Sequence, residues 1–417
     1  MNDTPAPPAT SAPEPLLAPR DGLPALVDTP EKLADAIDSL AAGRGPLAVD
    51  AERASSYRYS ARAYLLQFRR EQSGTVLIDP IAVGSSLAPL ADVINPLEWV
   101  LHAADQDLPG LAELGLEPAS LFDTELASRL AGFERVGLAA VTEQLLGLSL
   151  AKGHGSADWS RRPLPSAWLN YAALDVEVLL DLRDLLADEL STQDKLQWAQ
   201  EEFEYVRTRT LPPPSPERWR RTTNIHTVSG RRGLAIVREL YATRNHIAES
   251  VDLAPKRLLP DTALVAAAEH KPRTVEQLRA IPGFGGGRQR RHSPTWLAAI
   301  ERAFSINEAD LPAKRPPSDN GGRPGVPRPR PGTDAAQRLS DIRAELTVIS
   351  DELSIPVENL VPADATRRIA HEPPLPVTES TVSEALIASE VRPWQVSLVS
   401  KPIEKALLAN SGTPDED

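Results

Sequence analysis

Apolar residues recur along this chain in two rhythms, and the places where the rhythm changes divide it. Between residues 46 and 122, short apolar runs bounded by turn-forming residues predict strands at 46–50, 63–69, 75–79, 98–102 and 119–122. Short connections between the first three fit an antiparallel meander, and helical spacing enters from Ser86 onward. Over 165–190 the apolar positions fall three and four apart, which predicts a long helix packed across that sheet. A helix or connector follows at 196–210 and is broken by Pro212, Pro213 and Pro214. After the break the period is helical, with helices expected near 231–248, 261–270, 274–281 and 294–304. The chain thus reads as a mixed α/β domain over 25–195, a connector over 196–214 and an all-α domain over 215–305.

Two further features complete the division. Leu311 to Asp334 holds seven prolines and four glycines with five Lys and Arg, the composition of an extended linker, placed at 306–335. Beyond it, Ile355-Pro356-Val357-Glu358-Asn359-Leu360-Val361-Pro362 echoes Leu253-Ala254-Pro255-Lys256-Arg257-Leu258-Leu259-Pro260 at an offset of 102, and Trp394 follows Trp296 in nearly the same register. The echo predicts a second, degenerate copy of the helical domain over 336–408, with chance similarity of two helical segments as the alternative. Residues 1–24, rich in Pro and Ala, and residues 409–417 read as tails.

Composition removes several classes of function. With no cysteine there are no disulfides and no thiolate metal sites. No apolar run is long enough to span a bilayer, and the N-terminus lacks the basic and apolar regions of a signal peptide, so the cytoplasm is expected. The net charge of −13 speaks against a nucleic-acid partner until it is resolved along the chain. Residues 211–330 carry 21 Lys and Arg against 11 Asp and Glu, a balance of +10 that leaves −23 elsewhere. Affinity for phosphates follows local cations, so this middle segment is either a nucleic-acid surface or a merely solvated basic domain.

The candidate chemistry lies in the first domain. Its first strand ends in Asp50-Ala51-Glu52, and alternate residues of a strand share a face, so the two carboxylates project together. Such a pair needs a cation between its members, or one must keep a proton. A second strand runs through His102 into a polar turn, with Asp107 at a helix start, where it serves as a cap or joins a site. His102 reads first as a hydrogen-bonded histidine at a strand end, because hard cations prefer oxygen. Tyr171 and Asp175, four apart, project from one helical face, close enough to bond to each other. Each piece alone has a plain structural reading. Together, four carboxylates and a phenol can build a two-metal nuclease centre.

In this order and spacing the chain resembles the DEDD superfamily of 3′-to-5′ exonucleases, in the subclass with tyrosine in the third motif, and most closely the bacterial ribonuclease D family. Tyr64-Leu65-Leu66-Gln67, Leu121-Phe122-Asp123-Thr124 and Ser156-Ala157-Asp158-Trp159-Ser160-Arg161-Arg162-Pro163-Leu164 extend the match, which covers about residues 25–195. Arg257-Leu258-Leu259-Pro260-Asp261 and Pro272-Arg273-Thr274-Val275-Glu276-Gln277-Leu278 resemble the helicase and RNase D C-terminal (HRDC) domain. The fold implied is α/β, an RNase H-like exonuclease domain followed by all-α HRDC-type domains. Ala51 and Arg53 depart from the family, which usually places threonine and phenylalanine there, so contacts to the last nucleotide are expected to differ.

The resemblance also implies a mechanism. Two divalent ions, Mg²⁺ or Mn²⁺, would be held by Asp50, Glu52, Asp107 and Asp175, with Asp50 shared and Asp107 acting through water. Tyr171 would orient the attacking water, since a phenol with a pKa near 10 is a poor base at neutral pH. The expected partner is RNA, through tRNA precursors or other structured 3′ ends, acted on by a monomer with no membrane contact. Gln67, His102 and the arginines Arg288, Arg290 and Arg291 are the candidate nucleic-acid contacts. The three arginines follow the glycine turn Ile281-Pro282-Gly283-Phe284-Gly285-Gly286-Gly287, which reads equally as a plain interhelical turn. Two other readings stand beside this one: a DNA exonuclease, and an inactive nuclease fold kept as an RNA-binding scaffold. No phosphate-binding loop of the Walker type is present, so ATP-driven unwinding is not expected.

Overall fold

The computed structural model describes residues 12–84, 87–151, 153–210, 213–314 and 326–409. Its strands are β1 (Glu14–Leu16), β2 (Leu26–Val27), β3 (Arg44–Arg53), β4 (Ala63–Glu71), β5 (Gly74–Ile78), β6 (Glu98–Leu101), β7 (Ser120–Asp123) and β8 (Leu148–Leu150). Six of them form one sheet in the order β2-β5-β4-β3-β6-β7. The expected meander is present, with β3, β4 and β5 antiparallel, and β6 and β7 add in parallel beside β3. Leu47, Val49, Phe68 and Trp99 lie in the main core on one side of this sheet. On the other side Leu65 and Leu77 meet Ala172, Ala173 and Trp159. Small residues at 172 and 173 let the helix Ser166–Glu177 lie close to the strands.

Two expectations are corrected. The single helix over 165–190 is two, Ser166–Glu177 and Leu179–Thr192, separated at Val178 with φ −99° and ψ −10°. The break lets Glu177 point inward, where Arg69 Nη1 meets its carboxylate at 3.1 Å, while Leu179, Leu182, Leu186 and Leu190 enter the core. Residues 12–24, expected as part of a tail, are tied down: β1 pairs in parallel with β8, and the Arg20 backbone N–H donates to Glu177 Oε1 at 3.3 Å. Main-chain pairing of so short a strand leaves no side-chain pattern to read. The rest of that tail, and residues 410–417, lie outside the described residues.

The middle domain comprises Gly230–Ser250, Pro255–Leu258, Asp261–His270, Val275–Ala280, Gly287–Arg291 and Ser293–Ser305 around its own core of Trp219, Leu240, Phe284 and Trp296. Asp334–Leu353, Val357–Leu360, Ala363–His371, Glu379–Ile387 and Pro393–Ala409 follow in a similar order. Leu259 and Val361, at matching places after the short helices, are both extended, with φ −150° and −160°.

The two helical units attach to the nuclease domain differently. The last one shares its core: Leu346, Ile369 and Trp394 belong to the same apolar cluster as the sheet. Trp198 stacks on Trp394 at 5.2 Å, Glu202 takes Arg392 Nε at 2.5 Å and Trp394 Nε1 at 2.8 Å, and Lys195 Nζ donates to the Leu353 carbonyl at 2.6 Å. The middle domain instead docks through polar contacts on the loop between β3 and β4. Asp252 accepts the backbone N–H groups of Tyr59 and Ser60 at 3.1 and 2.9 Å, and Arg257 Nε donates to the Ser56 carbonyl at 2.7 Å. Among the described residues no helix is long and apolar enough to cross a membrane.

Candidate active site

Strand β3 carries Asp50 and Glu52 to the edge of a cleft of about 330 Å³. The pairing of β3 with β4 shifts register between Glu52 and Arg53, and a bulge of this kind re-aims the next side chain. Arg53, which regular alternation would send to the opposite face, lines the cleft, with Nη2 3.5 Å from Asp107 Oδ1.

Asp107 is set by a turn that the end of β7 clamps. The Asp123 carboxylate accepts the backbone N–H groups of Ala103 (3.1 Å) and Ala104 (2.8 Å), and caps the helix Thr124–Leu130 through Glu125 and Leu126. His102 Nδ1 bonds to Thr124 Oγ1 at 2.9 Å. Asp107 stands at the N-cap of Leu108–Ala112 but makes no side-chain capping bond, which leaves its carboxylate to the cleft. From the far wall, the helix Ser166–Glu177 presents Tyr171 and Asp175. Arg162 anchors the approach to this helix, reaching both oxygens of Asp79 at 2.5 and 2.7 Å and the carbonyl of Tyr64 at 2.8 Å.

The five residues singled out by spacing therefore line one cleft. Carboxylate oxygens of Asp50, Glu52 and Asp175 lie within 4.8 Å of one another. Burial pushes Asp50 up to about 6. Burial, then repulsion from Asp50, Asp175 and Asp107, lifts Glu52 to about 10. Asp107 is raised to about 8, by burial first and Asp50 second, against the pull of Arg53. Asp175 stands well above its ordinary range through burial and Asp50, with Tyr171 working the other way. Burial and the neighbouring acids also raise Tyr171, so its hydroxyl is protonated at neutral pH. Among the described residues lining the cleft, Arg53 is the one cation, and it reaches Asp107 rather than the other three. Hard oxygen donors this close, with their charge uncompensated, suit a divalent cation.

The predicted nucleic-acid contacts fare unevenly. His102 lines the cleft, but burial lowers its pKa to about 4, so it brings no charge to a phosphate. Gln67, opposite Asp50 on β4, is fully buried and does not line the cleft, which corrects its expected role. Both atoms of its amide lack a hydrogen-bond partner among the described residues. Arg288, Arg290 and Arg291 are exposed on a five-residue helix and line neither this cleft nor the one beside it. Gly283 has a packing reason: φ is +96°, and a Cβ there would meet that of Ala263 at 2.6 Å. Ser55 and Ser56, which no sequence signal marks, also line the site, as does the loop Gly155-Ser156-Ala157, whose glycine-rich start at 153–155 suggests from sequence a loop beside the site or a purely structural one. A Cβ on Gly155 would come within 3.2 Å of the Tyr171 hydroxyl, and the His154 ring meets Tyr171 edge-on at 5.9 Å. The glycine content of that loop was the available signal.

Known proteins agree with this picture. Residues 24–191 match the family model described as 3′-5′ exonuclease, 233–300 the HRDC domain, and 329–407 the 3′ to 5′ exonuclease C-terminal domain. Ribonuclease D of Gluconacetobacter diazotrophicus is 32% identical over 345 residues, covering 79% of this chain and 85% of the relative. Ribonuclease D of a Jannaschia species is 32% identical over 298 residues, 70% and 77% of the two chains. Among solved structures, a protein from Bifidobacterium adolescentis shares 35% identity at a TM-score of 0.83, covering 95% of this chain and all of that one. Escherichia coli RNase D shares the fold at a TM-score of 0.65 and 24% identity, over 92% of this chain and 98% of that one. An exonuclease fold with an acidic cleft, matched along most of its length to ribonuclease D from other bacteria, makes this chain a member of the ribonuclease D family and a 3′-to-5′ exoribonuclease.

Proposed function

We propose that the chain removes nucleotides one at a time from the 3′ ends of tRNA precursors or other structured RNAs, releasing 5′-mononucleotides. It would act as a monomer in the cytoplasm, with RNA preferred over DNA. The observation that carries the proposal is the set of carboxylate oxygens of Asp50, Glu52 and Asp175 within 4.8 Å of one another, with no cation paired to them among the described residues and Asp107 lining the same cleft. These four acids would hold two divalent ions, Mg²⁺ or Mn²⁺. Bound there, such ions would neutralise the phosphate, acidify the attacking water and stabilise the departing oxygen.

The chain's own residues divide the remaining work. Asp50, close to Glu52 and Asp175 and near enough to Asp107 to raise it, would be the acid shared by the two ions. Tyr171 keeps its proton at neutral pH and orients the attacking water through its hydroxyl, without acting as a base. Water oxygen adds to phosphorus, the bond from phosphorus to the 3′ oxygen of the preceding nucleotide breaks, and that oxygen leaves with a proton. Arg53, lining the cleft, would contact the terminal nucleotide, where the family usually carries an apolar side chain.

The test uses RNA and DNA strands labelled at either end, incubated with the protein in Mg²⁺ or Mn²⁺, with Asp50→Asn as control. Release of mononucleotides from the RNA 3′ end, lost in the variant, is the expected result. Absence of metal-dependent release from either polymer would favour the scaffold reading.

A further inference from the structure

Beside the catalytic cleft lies a second one of about 780 Å³, between the loop 55–61 and the middle domain. Ser55 and Ser56 line both, so the two clefts adjoin. Their charges are opposite. The second cleft is bordered by Arg58, Arg218, Arg221 and Lys256, and its one acid, Asp261, is already engaged by Arg244 at 2.7 Å and Lys256 at 3.1 Å. Arg218 and Arg221 come from the turn Arg218–Arg221, and neither side chain makes an ion pair among the described residues. At the floor, the Arg244 side chain is 3% exposed, and its Nε has no hydrogen-bond partner. The Asn245 Oδ1, in the same wall, is likewise buried and unpartnered. Tyr59, 37% exposed, and Tyr241 supply aromatic faces. Asp252, gripping the backbone of Tyr59 and Ser60, holds the two walls at a fixed separation.

We propose that this cleft is a subsite for the single-stranded RNA that leads into the active site, and that it takes the nucleotides immediately 5′ of the one being removed. Arg218 and Arg221 contact their phosphates and Tyr59 stacks on a base, the combination by which grooves hold single strands without reading sequence. The inference rests on the exonuclease function proposed above. It moves the RNA footprint away from Arg288, Arg290 and Arg291 to the turn that opens the middle domain.

The test measures binding apart from hydrolysis. An oligoribonucleotide of about twelve nucleotides, within the usual footprint of such grooves, is titrated by fluorescence anisotropy over a range of salt without divalent metal. Each lost phosphate contact lowers the salt slope by about 0.7, so Arg218→Ala with Arg221→Ala should lower it by about 1.4. Tyr59→Ala should weaken binding roughly tenfold and leave the slope in place, as expected for stacking. In turnover, the ratio of kcat/KM for the long strand to that for a dinucleotide should fall in the arginine variant. An unchanged slope, or equal loss on both substrates, would overturn the subsite. A chain that binds with the expected slope yet releases no nucleotide in Mg²⁺ would instead remove the proposed function and leave the subsite standing.

Discussion

In the middle domain the buried carboxylate of Asp261 is met by Arg244 at 2.7 Å and by the backbone N–H of Thr223 at 3.1 Å. Burial works to raise it, but these bonds prevail and hold it at about 2. In the nuclease domain Asp50, Glu52 and Asp175 crowd together with no arginine or lysine paired to them among the described residues, and Glu52 rises to about 10. The chain can bury a carboxylate and satisfy it. Where it crowds three together and leaves them repelling one another, a divalent cation would supply the missing charge, and the cost to the metal-free protein is the condition for binding it.

The largest effect expected from breaking this contrast is on activity. Asp50→Asn should lower RNA hydrolysis by roughly a thousandfold, from the several kcal/mol a lost metal ligand removes. The same substitution should raise the melting temperature of the metal-free protein, because one of the repelling charges is gone. A lower melting temperature would show that Asp50 is held by bonds like those on Asp261.

Asp261→Ala should have the opposite character. It leaves Arg244 buried and unpaired and should cost the middle domain about 3–5 kcal/mol, read by denaturant unfolding. The sign with pH follows from the lowered pKa. This carboxylate's contribution is present above the ordinary carboxylate range and is lost only as pH falls towards about 2.

The acidic cleft runs the other way. Glu52 at about 10 and Asp107 at about 8 lie above their unfolded values, so the folded protein holds more protons and its metal-free stability falls as pH rises from about 5 towards 9. Added Mg²⁺ displaces those protons, so the rise in melting temperature that it causes should grow with pH, by about 2–4 °C for each kcal/mol of added binding. A pH-independent increment would mean that the acids are already ionised. The smallest effect is expected from Arg53→Gln, which removes the cleft's own cation. With Arg53 partly exposed, the loss of its pairing with Asp107 should cost about 0.5–1 kcal/mol in the metal-free protein, measured by thermal unfolding.

The legible parts of this molecule are those whose cause is local. Short apolar runs bounded by turn residues mark β3 to β7 because each strand's extent is written in its own residues, and the acids stand at strand and helix ends where their spacing can be read. Arg53 could not be placed, because its direction depends on a register shift against β4 that no single strand reveals. Gln67, a candidate nucleic-acid contact by resemblance, is fully buried, because the strand's own residues do not say which of its faces a helix covers. The Gly283 turn reads from sequence equally as a binding loop or a plain interhelical turn, and its glycine answers to the methyl of Ala263. Arg218 and Arg221 lay unnoticed in a stretch without periodicity, where only the meeting of two domains makes a cleft.

The single core shared by the sheet and the last five helices sets the order in which the chain can mature on the ribosome. Trp198 must wait for Trp394, its stacking partner, which emerges nearly two hundred residues later. At about 5–20 residues per second that is a delay of roughly ten to forty seconds. The middle domain, with its own core, can fold within that interval. The nuclease domain meanwhile keeps an uncovered apolar flank, a surface that chaperones would engage and that a prematurely terminated chain would never cover.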